Sequence, residues 1–142
     1  MSEFRSPLQI QLITPWANDG RGEWEFLSDL IYYSDLLQQE VVVFKGFRFD
    51  HASVPRLPLA FSLFGFRYSR SAGVHDLFCR YGAVPRDVAD KVFLEAMRVE
   101  NEEELAEHLA NGADEDEMNA HKARLEGQAL TMYAGVRIGA AF

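Results

Sequence analysis

The hydrophobic period of the chain changes about halfway along. Leu8–Ile13 (LQIQLI) alternates apolar and polar residues, the period of a half-buried strand. Pro15–Gly22 (PWANDGRG) is dense in turn residues and predicts a loop. Trp24–Leu27 and Leu30–Tyr33 flank Ser28-Asp29, which predicts a hairpin or a bent strand. Glu40–Phe44 (EVVVF) is a β-branched run and predicts a strand. Gly46-Phe47-Arg48-Phe49-Asp50 then enters a loop punctuated by Pro55 and Pro58.

Helical spacing takes over in the second half. Ser71–Tyr81 predicts a helix closed by Gly82, and Pro85 sits where a first-turn proline is tolerated. Arg86–Val99 follows as an amphipathic helix. Glu102–Ala110 and about Glu115–Tyr133 predict further helices, split by Asn111-Gly112. Gly135 and Gly139 predict that the last helix stops short of the terminus. A small antiparallel N-terminal sheet followed by three to four helices is an α+β fold. The 142 residues fit a single domain.

Composition sharpens this picture in a few places. Hydrophobic residues make up 48% of the chain, enough for a substantial core. The net charge of −8 arises in one stretch, because Glu100–Glu117 holds nine of the 22 acids and no Lys or Arg. Outside it, 13 acids face 14 bases. That stretch reads as an acidic helical insertion with a solvated face. With no basic stripe among the aromatics, a nucleic-acid partner is not expected. Cys79 is the only cysteine, so an intrachain disulfide is excluded. The first residues lack the charged and apolar regions of a signal peptide. No run approaches the ~18–20 apolar residues of a membrane span. A soluble cytoplasmic protein is the expectation.

Helical geometry selects the candidate chemistry. At about 100° per residue, Val88, Val92, Ala96, Ala89, Phe93 and Met97 form one apolar arc, with Asp90 at its rim. On the preceding helix Val74, Phe78, Leu77 and Tyr81 form the apolar side, with His75 at its edge and Asp76 further round. The short Gly82–Val84 turn should leave the two helices antiparallel, so that His75 and Asp90 face each other. A carboxylate on one imidazole nitrogen fixes the tautomer and presents the other nitrogen as base or ligand. The same bond equally serves to fasten two helices.

Asp50 heads a loop framed by Gly46, Ser53 and Pro55, and either caps backbone N–H groups or joins the site. In the second case Asp50 and Asp76 would hold a divalent cation beside His75 and Asp90. Cys79 shares the His75 face and is expected as a small buried hydrophobe. His51 reads as an exposed loop residue. His108 and His121 fall in the acidic, exposed half and carry no expected role.

Several of these residues recur in one pattern. Gly46-Phe47-x-x-Asp50-x-Ala52-Ser53-Val54-Pro55, then His75-Asp76, then Arg86-x-x-Ala89-Asp90-x-x-Phe93-x-x-Ala96-Met97, then Tyr133-Ala134-Gly135-Val136-Arg137-x-x-Gly139 resembles the domain of unknown function 1353 family. That family comprises small phage and prophage proteins, and the resemblance spans about Trp24 to Gly139. Cys79 stands where members usually carry Tyr. The resemblance implies a phage context, with phage structural proteins as partners and a location in the host cytoplasm or the virion. Locally, His75-Asp76 followed by Asp90-x-x-Phe93 is similar to the helix pair of secreted phospholipases A2. That similarity implies His75 as base, Asp76 as metal ligand and Asp90 as the group orienting the histidine. This chain has neither the disulfides nor the glycine-rich calcium loop of those enzymes. Two functions follow as expectations: a virion, tail or assembly component with a structural His/Asp cluster, and a metal-assisted hydrolase using a His75–Asp90 dyad.

Overall fold

The computed structural model describes residues 1–17, 22–49 and 67–140, with side chains through residue 138. Among the described residues, strands form two three-stranded antiparallel sheets, followed by three helices; the fold is α+β. One sheet has β1 (Glu3–Phe4), β4 (Leu30–Ser34) and β5 (Gln39–Val43) in the order β1-β4-β5. The other has β2 (Ile10–Thr14), β3 (Glu23–Phe26) and β6 (Arg48–Phe49) in the order β2-β3-β6.

The β4–β5 hairpin runs in register from Leu30↔Val43 to Ser34↔Gln39. Its period-2 alternation turns Leu30, Tyr32, Ser34, Val41 and Val43 inward and leaves Val42 outside. Of the two forms predicted around Ser28-Asp29, the bent one is observed. Phe26 ends a strand of one sheet and Leu30 starts a strand of the other. Side chains hold this corner: Asp29 Oδ1 accepts the Lys45 N–H at 2.7 Å, and Ser6 Oγ accepts the Ile31 N–H at 2.7 Å. Strands β1 and β6 were not expected, since two residues carry no readable alternation. Gly46 lies in the turn between β5 and β6 with φ +90°, a conformation that favours glycine, and its N–H donates to Phe26 O.

The helices are α1 (Ser69–Tyr81), α2 (Arg86–Ala110) and α3 (Glu115–Ala140). Helix α1 closes on Gly82, whose left-handed φ of 61° lets its N–H bond Phe78 O. Two expected boundaries moved. Helix α2 is unbroken where a gap was expected between Val99 and Glu102. Asn101 there bonds the Tyr68 hydroxyl (2.9 Å) and Leu125 O (3.1 Å), so its side chain does not compete with the helical backbone. Helix α3 continues past Tyr133 through Gly135. The cost of an interior glycine, about 1 kcal/mol, is offset by burying Val136 and seating Arg137 on a partner.

Helix α2 is the hub of the packing. Ala89, Val92 and Ala96 face the cluster containing Phe26, Leu30, Tyr32, Phe49, Val74 and Phe78. Phe93 and Met97, on its other side, pack with Ala129, Met132 and Val136 of α3. Leu77 is only partly buried and Tyr81 is 60% exposed, so the buried arc of α1 is centred nearer its start than expected.

The acidic stretch is not simply a solvated face. Tyr68 offers no side-chain cap to α1, and the first turn of α1 has no acid of its own. Glu100 of α2 supplies that acceptor, taking the Ser71 N–H (2.9 Å) and hydroxyl (2.6 Å). Glu103 pairs with Arg70 and Glu104 with Arg67. The acids of α2 thus dock the start of α1. No helix among the described residues is long and apolar enough to cross a membrane.

Candidate functional site

Helices α1 and α2 bring His75 and Asp90 into direct contact, with Nε2 2.6 Å from Asp90 Oδ1. His75 is 2% exposed and Asp90 is fully buried. The ring packs against Phe93, with centroids 4.9 Å apart. Two guanidiniums complete the carboxylate's surroundings. Arg86, one turn earlier on α2, donates from Nε to Oδ1 at 3.0 Å. Arg137 of α3 donates from an η nitrogen to Oδ2 at 2.7 Å. One carboxylate therefore ties together three helices.

Burial pushes the His75 pKa down, and its bond to Asp90 does not overcome that. Burial also opposes the charge on Asp90. The hydrogen bonds from His75, Arg137 and Arg86 outweigh it and hold the carboxyl below its usual range. At neutral pH the pair is a neutral imidazole donating Nε2–H to a carboxylate.

Acid sensitivity follows from these directions. An unfolded histidine titrates near pH ~6.5 and an unfolded aspartate near ~3.9. Both groups titrate lower in the folded chain, so on acidification the unfolded chain binds protons first and stability falls. The His75 part is present above pH ~6.5 and is lost below it; the Asp90 part follows below ~3.9. Glu100, whose carboxyl is raised by burial, acts in the opposite sense. The diagnostic quantity is therefore the difference between wild type and His75→Gln. Melting curves from pH 8 to 4 should show the wild type losing stability below about pH 6.5, with a shallower loss for the variant. Parallel curves would place the titration elsewhere.

Cys79 is not the buried hydrophobe expected; it is exposed, with its sulfur against the His75 ring. Sγ stands 3.8 Å from Nδ1 and 3.7 Å from Nε2, so it is aligned with neither nitrogen. Although the residue is exposed, partial desolvation of the thiol pushes its pKa up, the reverse of nucleophile activation. Asp76 lies beside His75 on α1 and is 7% exposed. Asp50, His51, Ser53 and Pro55 lie outside the described residues. Gly46 is exposed in its turn and serves the backbone there.

Arg86 and Arg137 stand in the family pattern, but sequence reasoning gave neither a role at the site. Arg86 could have been given one, since it stands four residues before Asp90 on a helix. No spacing signals Arg137, which lies 47 residues from Asp90. The expectation for His121 is also corrected. Its side chain is 12% exposed, and Nε2 is 2.8 Å from Glu104 Oε2 across the α2–α3 hairpin.

Fold and site together define a small α+β protein with a buried imidazole–carboxylate–guanidinium network at the meeting of three helices. The chain belongs to the DUF1353 family: the model described as "Protein of unknown function (DUF1353)" matches residues 24–111, over half of its length. No curated protein and no solved structure matches the chain.

Proposed function

We propose that this chain is a non-enzymatic phage or prophage protein, a virion, tail or assembly component whose His75–Asp90 cluster is a structural clasp. The observation that carries this reading is the burial of both partners, with each oxygen of Asp90 engaged by donors from its own or a neighbouring helix. A carboxylate so committed stabilises a fixed arrangement of helices and offers little to a reacting molecule. The phage setting rests on the family resemblance, as do phage structural proteins as partners and passage from host cytoplasm to virion. Mass spectrometry of purified particles should find the chain at fixed stoichiometry with tail or capsid proteins. Its absence from particles and assembly intermediates would overturn the reading.

One observation favours the hydrolase alternative: the nearly buried Asp76 carboxylate adjoins an imidazole that a second carboxylate already orients. This is the arrangement the phospholipase A2 similarity implies, with His75 as base, Asp90 orienting it, and Asp76 with Asp50 holding a divalent cation. In that case His75→Gln would abolish a cation-dependent hydrolysis while leaving melting temperature nearly unchanged. Under the clasp reading the same substitution lowers the melting temperature.

A further inference from the structure

The hairpin of α2 and α3 carries a second cluster, built from residues that the His75–Asp90 network does not use. Glu104 and His108 stand one turn apart on α2, so their side chains leave the same face. His121 comes from α3, beyond the turn at Asn111–Asp114. One ligand atom from each of the three lies within 4.8 Å of the others. The His108 and His121 rings are 4.2 Å apart between centroids and tilted by 41°.

We propose that Glu104, His108 and His121 form a binding site for a zinc-class divalent cation that clamps the α2–α3 hairpin. Two imidazoles and one carboxylate are the donor types such an ion takes, at about 2.0–2.2 Å, with water completing a four-coordinate shell. Ligand atoms around such an ion stand roughly 3.4 Å apart. The Glu104–His121 contact therefore opens slightly, while the exposed His108 side chain swings in. Magnesium is disfavoured, because it prefers an octahedral oxygen shell.

Two arginines oppose the ion. Arg67 is bonded to Glu104, and Arg124 donates to Nδ1 of His121. An ion on His121 Nε2 requires the ring proton to move to Nδ1, so Arg124 must turn into solvent. His121 lies outside the segment matched by the family model.

Titration calorimetry of the full chain with zinc sulfate tests the proposal, with magnesium sulfate as the comparison. The expected result is one saturable zinc equivalent, no magnesium binding, and visible absorption typical of four-coordinate Co2+ when cobalt replaces zinc. Loss of an outer-shell partner alone costs about 10–100-fold in affinity, so His108→Ala and His121→Ala should each cost at least as much. Arg124→Gln should tighten binding, and Cys79→Ser should leave it unchanged. His108 is exposed, so its substitution spares the fold, which circular dichroism would verify. Absence of saturable zinc binding would overturn the proposal. So would binding that survives the double His108/His121 substitution or disappears in Cys79→Ser.

Discussion

Asp90→Ala should lower the unfolding free energy by about 3–5 kcal/mol, the cost of breaking a buried charge pair by removing one partner. The loss falls toward the lower end of that range. Arg86 and Arg137 are 45% and 40% exposed at their side chains and can regain water. His75 cannot, being 2% exposed, and its Nε2–H is left without the carboxylate. At about 2–4 °C per kcal/mol, the melting temperature should drop by roughly 10 °C. Asp90→Asn keeps the shape and an acceptor but removes the charge, so it should fall between. A melting temperature within two degrees of wild type for Asp90→Ala would show that the network carries no stability, and the clasp reading would fail with it.

Gly73→Ala should be nearly as damaging, although alanine is the better helix former by about 1 kcal/mol. A Cβ at this position would lie 2.6 Å from Cζ of Phe26. That ring is 1% exposed and packs against Phe49 at 5.0 Å and Phe47 at 6.1 Å between centroids, so its retreat is blocked. Overpacking of this kind costs typically 1–3 kcal/mol and here exceeds the helical gain. Chemical denaturation would measure it, and Phe26→Leu combined with Gly73→Ala separates the causes. If steric crowding is the cause, the double variant loses less than the sum of the single losses. Strict additivity would refute the contact as the reason.

The β-branched run Glu40–Phe44 emerged as a strand, but it did not say which of its valines face inward. The core face of α2 was legible in the sequence because period reports burial directly. The arc Ala89–Val92–Phe93–Ala96–Met97 requires only local geometry and emerged buried, with Val88 partly buried beside it. The contact between His75 and Asp90 was legible for the same reason. Two helices joined by a short turn leave few ways to face each other, and both residues lie at the edge of an apolar stripe. The misjudged boundaries share a different cause. Glycines near the end of α3 and Asn101 within α2 have weak local preferences, and tertiary bonds to Asp90, Tyr68 and Leu125 overrode them.

The sequence by itself determined the α+β class, the buried face of α2, and the pairing of an imidazole with a carboxylate on adjacent helices. Each follows from the repeat of the backbone and the chemistry of neighbouring residues. Only the tertiary structure decided what surrounds that pair. It brought Arg137 to Asp90, paired the acids of α2 with the start of α1, and closed Glu104, His108 and His121 into one cluster. Apart from the neighbours Glu104 and His108, those partners stand 13 to 47 residues apart. Separations of that size are set by how helices pack on the common core, which local periodicity does not encode.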